Sequence, residues 1–157
     1  MQKSITKKLN QLNDRQIKTA FFWAVLLLAL DRCLKITALS IWSNHPQQLT
    51  GNWSLSYSLN SRLAFSLPWT GLSLTIFLTI LVIGLTLYAA NALKKQPDKI
   101  LGWILLLCGS YSNLYDRFIY NGVIDYLANQ WTVLNLADIL IGLGLILLLL
   151  PRPKKLL

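Results

Sequence analysis

The segment from Gly71 to Ala92 contains no charged side chain. As a helix rising about 1.5 Å per residue it is long enough to cross the ~30 Å hydrocarbon core of a bilayer. Three further apolar runs accompany it, at about 17–39, 100–119 and 132–150. In hydrocarbon every backbone N–H and C=O has to be satisfied within the protein, so runs of this kind are read as helices. With 54% hydrophobic and only 13% charged residues, an ordinary soluble domain is excluded. Residues 1–157 therefore read as a single integral-membrane domain with four transmembrane helices.

A net charge of +9 would by itself suit a nucleic-acid binder. The bases, however, stand in short clusters beside the apolar runs without interleaved stacking aromatics, so membrane topology explains them and no nucleic-acid partner is expected. Lys3, Lys7, Lys8, Arg15 and Lys18 precede or open the first run, Lys94, Lys95 and Lys99 follow the second, and Arg152, Lys154 and Lys155 follow the fourth. Basic flanks stay on the cytoplasmic side. Both termini are then cytoplasmic, and the connections between runs one and two and between three and four face outward. No small-residue cleavage site follows the basic N-terminus, which argues against a removable signal peptide. Cys33, preceded by Asp31 and Arg32, does not fit a lipoprotein signal, and it reads with Cys108 as a small buried hydrophobe.

The outward connection 41–70 has a period of two: Trp53, Leu55, Tyr57 and Leu59 alternate with Ser54, Ser56 and Ser58. That is the pattern of a strand with one apolar face. The expected architecture is therefore a membrane all-α protein, four helices with cytoplasmic N- and C-termini, plus a small extracytoplasmic β-sheet between helices 1 and 2. His45, before Pro46 and without partner spacing, reads as a surface turn residue.

Ionisable residues near a bilayer are costly, so their positions carry functional information. Asp31 and Lys35 are four apart on one helical face; Asn113, Asp116 and Arg117 share nearly one face of the third run; Asn135 and Asp138 line the start of the fourth. The topology brings Asn60, Arg62, Asp116, Arg117, Asp125 and Asp138 to the outer interface, with Asp31 at the same depth. There is no glutamate in the chain, and no histidine or cysteine near this cluster, so the usual zinc ligand sets are missing and no metal or cofactor is expected. No serine or cysteine has a histidine nearby to activate it. Two aspartates entering one site from different segments suit a carboxylate pair that shares one proton and activates water against a carbonyl. Paired aspartates in membranes also serve proton relays and cation sites, and spacing leaves those open.

The motifs LDRCLK with its Asp-x-x-x-Lys, LNSRLAFS with Asn60 and Ala64-Phe65-Ser66, GSYSNLYDRFIYNGVIDY and LNLADILIG, in this order on four runs, resemble the lipoprotein signal peptidases. These are the type II signal peptidases of bacteria. The resemblance implies a monomeric aspartic endopeptidase of the inner membrane, with its active site at the extracytoplasmic face. It would remove the signal peptide of a prolipoprotein by cutting just before the diacylglyceryl-modified cysteine. Its partners would be prolipoprotein signal peptides and membrane phospholipids. By the same resemblance Asp125, in GVIDY, and Asp138, in NLAD, are the catalytic pair. Asn113, Arg117 and Asn135 match residues that position substrate. Asp31, Lys35, Asn60 and Asp116 match positions that shape the site, with Asp116 expected to pair with Arg117 or another base. Two alternatives remain, a non-catalytic lipoprotein-binding relative and a small proton- or cation-conducting protein.

The chain departs from the family pattern in places. Arg62 stands where the motif has glycine, so a different cradle turn or a contact with lipid phosphate is expected. The Asp125–Asp138 connection is short for the family, which reduces any helix over the site. Tyr126 and Leu134 stand where phenylalanines are common.

Overall fold

The computed structural model describes residues 2–62 and 69–151, with side chains from Lys18 onward and that of Arg15. Ala64, Phe65 and Ser66 of the second motif, the side chains of Lys3, Lys7 and Lys8, and the C-terminal Arg152, Lys154 and Lys155 lie outside the described residues.

Helix α1 spans Gln2–Thr37 and passes into a π-helical turn, Ala38–Trp42. The expected 17–39 run is thus the second part of a longer helix. No proline or glycine interrupts the preceding residues, so nothing local stops the helix there. Strands β1 (Gln47–Gln48) and β2 (Ser54–Asn60) follow, then helix α2 (Gly71–Lys95). A 3₁₀ turn at Pro97–Lys99 leads into helix α3 (Ile100–Tyr120). Helix α3 ends on Asn121, whose φ of 55° is left-handed, a conformation asparagine tolerates better than most residues. Strands β3 (Val123–Ala128) and β4 (Val133–Leu134) and helix α4 (Leu136–Leu149) complete the chain. Helix α4 stops before Pro151: Leu150 sits at ψ 134°, extended, as a residue preceding proline prefers.

Three expectations need correction. Cys108 is buried as expected, but Cys33 is exposed, on a side of α1 that no other described element covers. The sheet is not confined to the connection between the first two helices. It has four antiparallel strands in the order β1-β2-β3-β4, half of them supplied by the α3–α4 connection. The fourth run, expected as helix from 132, opens with β4 and becomes helical only at Leu136. Val133 and Leu134 are β-branched or apolar and find hydrogen-bond partners in Ala128 and Leu127, so sheet pairing prevails over helix there. Helix α4 is correspondingly only about 21 Å long. Among the described residues one helix, Gly71–Lys95, is by length and composition sufficient to cross a membrane. Its outward side chains are large and apolar, with Leu72 at 74% and Ile80 at 66% exposure.

The alternating serine strand forms as β2, but a register shift between Leu55 and Ser58 interrupts its pairing with β3. Beyond that bulge Ser58 pairs with Asp125 and Asn60 with Val123. Close contact between α3 and α4 depends on small residues. A Cβ on Gly144 would come within 2.6 Å of the Leu106 backbone nitrogen, and one on Gly109 would overlap the carbonyl oxygen of Ala137. At the opposite end from the sheet, the Lys99 ammonium caps α4 by donating to the carbonyls of Leu147, Leu148 and Leu150 at 3.1, 3.0 and 2.6 Å.

Candidate active site

Asp125 lies on the central strand β3 and is buried, 2% exposed; Asp138 lies in the first turn of α4. Each of their four carboxylate oxygens accepts one N–H. Asp125 Oδ1 takes Asn135 Nδ2 at 2.5 Å and Oδ2 takes Asn60 Nδ2 at 3.2 Å. Asp138 Oδ1 takes Asn113 Nδ2 at 2.8 Å and Oδ2 takes the backbone N–H of Asn135 at 3.3 Å. The second lone pair of each oxygen is left for water or substrate.

Donor-only partners set the direction of all three amides. The oxygen of Asn113 receives the Lys35 ammonium at 3.0 Å, that of Asn135 receives the backbone N–H of Asp138 at 2.9 Å, and that of Asn60 receives the backbone N–H of Arg62 at 3.0 Å. An ammonium or a peptide N–H cannot accept, so each amide must turn its NH₂ toward a carboxylate. Asn135 touches both sides of the pair, and also donates to Asn113 Oδ1 at 3.3 Å. The carboxyl of Asp125 is pushed up to about 6, first by burial and next by the negative charge of Asp138.

Behind this pair lies a second set of charges, fully buried except for the part-exposed Arg32. Lys35 Nζ meets Asp31 at 3.2 Å and Asp116 at 2.7 Å, and Arg32 meets Asp31 at 3.1 Å and Asp116 at 2.6 Å. Ser112 donates to Asp31 and accepts from Arg32 at 2.6 Å. The guanidinium also lies over the Tyr115 ring, 5.0 Å from its centroid. Two cations against two carboxylates leave no net charge here, which is what burial demands. Both carboxylates also reach outward to backbone: Asp116 Oδ2, which meets Lys35, accepts the N–H of Ile124 at 3.2 Å, beside Asp125, and the remaining oxygen of Asp31, Oδ1, accepts that of Ala137 at 3.1 Å, beside Asp138.

The first N–H groups of α4 all have partners, and three of them are side chains. Leu136 N donates to the Tyr126 hydroxyl at 2.9 Å, Ala137 N to Asp31, and Asp138 N to Asn135, which closes a capping box with Asp138. These groups would otherwise be orphaned donors at a buried helix start. Here they dock α4 onto β3 and α1.

Known proteins support a family assignment. The family model of signal peptidase (SPase) II matches residues 23–152. The chain belongs to the signal peptidase II family. Among its relatives, the lipoprotein signal peptidase of Thermosynechococcus vestitus is 33% identical over 145 residues, covering 85% of this chain and 92% of the relative. That of Gloeobacter violaceus is 34% identical over 148 residues, covering 85% and 82%. The fold matches a solved bacterial membrane enzyme with a TM-score of 0.75 at 18% identity, over 84% of this chain and 85% of the other.

Of the residues that the signal peptidase II motifs single out, Asp31, Lys35, Asn60, Asn113, Asp116, Asp125, Asn135 and Asp138 join one connected network. Arg117 does not enter it by hydrogen bond: it is buried and donates to the Arg62 carbonyl at 2.7 Å. Asp116 pairs with Arg32 and Lys35 rather than with its neighbour Arg117, because adjacent helical residues project about 100° apart. The turn at Arg62 does not need glycine. Among the described non-glycine residues only Asn121 has positive φ, and the Asn60 side chain closes the turn by accepting the Arg62 N–H. Arg32 and Ser112, which the motifs do not single out, join the network through Asp31 and Asp116. Ser112 stands four before Asp116 on the same face, a spacing that marks it. No helix lies between Asp125 and Asp138, only the β3–β4 hairpin.

Proposed function

We propose that this chain is an aspartic endopeptidase that removes the signal peptide of diacylglyceryl-modified prolipoproteins, cutting before the lipidated cysteine, with Asp125 and Asp138 as its catalytic pair. The single observation that carries this reading is the arrangement of one N–H on each of the four oxygens of two neighbouring carboxylates. Asp125, the more deeply buried, keeps the shared proton and donates it in a hydrogen bond to the scissile carbonyl. Asp138 takes a proton from water as that water attacks the carbonyl carbon. The tetrahedral intermediate then collapses, the C–N bond breaks, and a proton passes to the leaving amine. No covalent enzyme intermediate, metal or cofactor takes part.

The basic clusters at Lys94, Lys95 and Lys99 and at the termini support a cytoplasmic location for that end of the bundle. The site and sheet then face outward, where a lipid-anchored substrate arrives from the bilayer as prolipoprotein and phospholipid together, with one chain sufficient for the reaction. A conducting protein would need polar side chains along a crossing, and α2 has no charged residue before Lys94.

Mass analysis of a co-expressed prolipoprotein tests the reading. Asp125→Asn and Asp138→Asn should each leave the signal peptide attached while the protein still inserts, and cleavage should survive a chelator. Full cleavage by either variant, or a chelator loss restored by zinc, overturns it.

A further inference from the structure

Tyr126 follows Asp125 on β3 and is buried at 5% exposure, packed with Ala38 and Ile124 and 5.8 Å from the Trp42 ring. Burial pushes its phenol up, so the hydroxyl stays neutral. Its oxygen accepts the N–H of Leu136, the first helical residue of α4, at 2.9 Å. This bond joins the residue directly after one aspartate to the turn that carries the other. The neighbouring N–H, from Ala137, is held by Asp31 of α1, so the start of α4 is fixed at two points on two different elements. Asn135 spans the remaining gap by bonding both carboxyl groups.

We propose that Tyr126 is a positioning residue: by accepting the Leu136 N–H, its hydroxyl holds the start of α4 against β3 and so sets the separation of Asp125 and Asp138. The inference rests on the reading of these aspartates as the catalytic pair. Two carboxyls that share a proton repel more strongly as they approach, and their two titration steps spread apart accordingly. Loosening the tether lets the pair separate, which draws the two limbs of the pH profile together and lowers kcat, because reacting groups then spend less time in register. Lys35 and Asp31 from α1 and Arg117 from α3 also act on the pair electrostatically. None of them is altered by the substitutions below, so a change in the limbs reports the carboxyl separation.

Tyr126→Phe removes the oxygen and keeps the ring against Trp42. Leu136→Pro breaks the same bond from the other side. Proline is favoured at the first helical position, and Asn135, at φ −130° and ψ 174°, already has the extended backbone that a residue before proline requires. The experiment measures kcat, KM and the pH profile of prolipoprotein cleavage for both variants and for the double variant, alongside the folded fraction of each. We expect Tyr126→Phe to lose about threefold to tenfold in kcat, a modest loss in keeping with the phenylalanine common at this place in the family, with KM little changed and the limbs closer together. Leu136→Pro, which also gives up the Leu136 side chain packed against Ala38, Ile124 and Tyr126, should move the limbs in the same direction, and the double variant should be no worse than the lower single, since both substitutions break the same bond. Wild-type kcat and limbs in Tyr126→Phe, losses that multiply in the double variant, or a loss of activity matched by lost folded protein with the limbs unmoved, would each overturn the proposal. Activity in Asp125→Asn or Asp138→Asn would instead defeat the catalytic pair itself, so the two failures are distinguishable.

Discussion

Asp31 Oδ1 accepts the backbone N–H of Ala137 at 3.1 Å, across 106 positions of sequence. A carboxylate on the first helix thereby caps the last one, immediately before Asp138. Its other oxygen meets Lys35 and Arg32, so the cap is held by the same charges that Asp116 uses to hold Ile124. One neutral cluster thus supports both aspartate-bearing elements from behind.

Asp31→Ala should therefore lose both fold and reaction. Removing one member of a buried set leaves Lys35 and Arg32 with excess positive charge, a cost of about 3–5 kcal/mol. Asp31→Asn, which retains an oxygen for Ala137, should cost less and keep part of the cleavage. Thermal unfolding in detergent, together with the prolipoprotein assay, checks this; wild-type values for Asp31→Ala would show that the cluster has no supporting role.

The raised carboxyl of Asp125 gives a pH prediction with a definite sign. The folded protein holds this proton more tightly than the unfolded chain does, so the group's contribution to stability is complete below about pH 4. It is lost as pH rises through about 6, a change on the order of 3 kcal/mol. Unfolding measured from pH 4 to 7 should show this decline in the wild type and a smaller one in Asp125→Asn. Cleavage needs the protonated form, and substrate excludes further water, so the alkaline limb of kcat should fall at or above about pH 6. A limb below about pH 5 would contradict the assignment of the proton to Asp125.

Gly109→Ala should separate α3 from α4. The added methyl overlaps the Ala137 carbonyl oxygen and approaches Ile141 Cγ1 to 2.8 Å, next to Asp138. Overpacking of this kind costs about 1–3 kcal/mol, and a shift of about 1 Å in Asp138 should lower kcat about a hundredfold. Gly142→Ala is the control, since its Cβ meets nothing within 4 Å. Equal behaviour of the two variants in stability and cleavage would remove the packing argument.

Arg62→Gly should change little. The contacts of this residue to Asn60 and Arg117 are made by its backbone N–H and C=O, and its backbone is not left-handed. Glycine there gains no relief and costs about 0.5–1 kcal/mol in chain entropy. Steady-state cleavage should stay within about twofold; a tenfold gain would mean that arginine strains the turn.

The apolar run 71–92 by itself determined one long apolar helix, which the structure forms over Gly71–Lys95 with length and composition enough to cross a membrane. The spacing likewise determined which polar residues share a helical face: Asp31 with Lys35, Asn113 with Asp116, and Asn135 with Asp138, since helical periodicity is local and can be read residue by residue. Tertiary structure alone decided the partners of those residues. Nothing in the order of the chain says that Asp116 meets Arg32 rather than Arg117, that β3 and β4 complete the sheet begun by β1 and β2, or that the hydroxyl of Tyr126 ends on Leu136. Such contacts depend on the rotation and depth at which elements pack, set by glycines such as Gly109 and by the need to satisfy every buried N–H. The start of the fourth run shows the same limit. Val133 and Leu134 carry the composition of a helix in lipid, yet they pair as strand because β3 stands beside them with unmet hydrogen bonds.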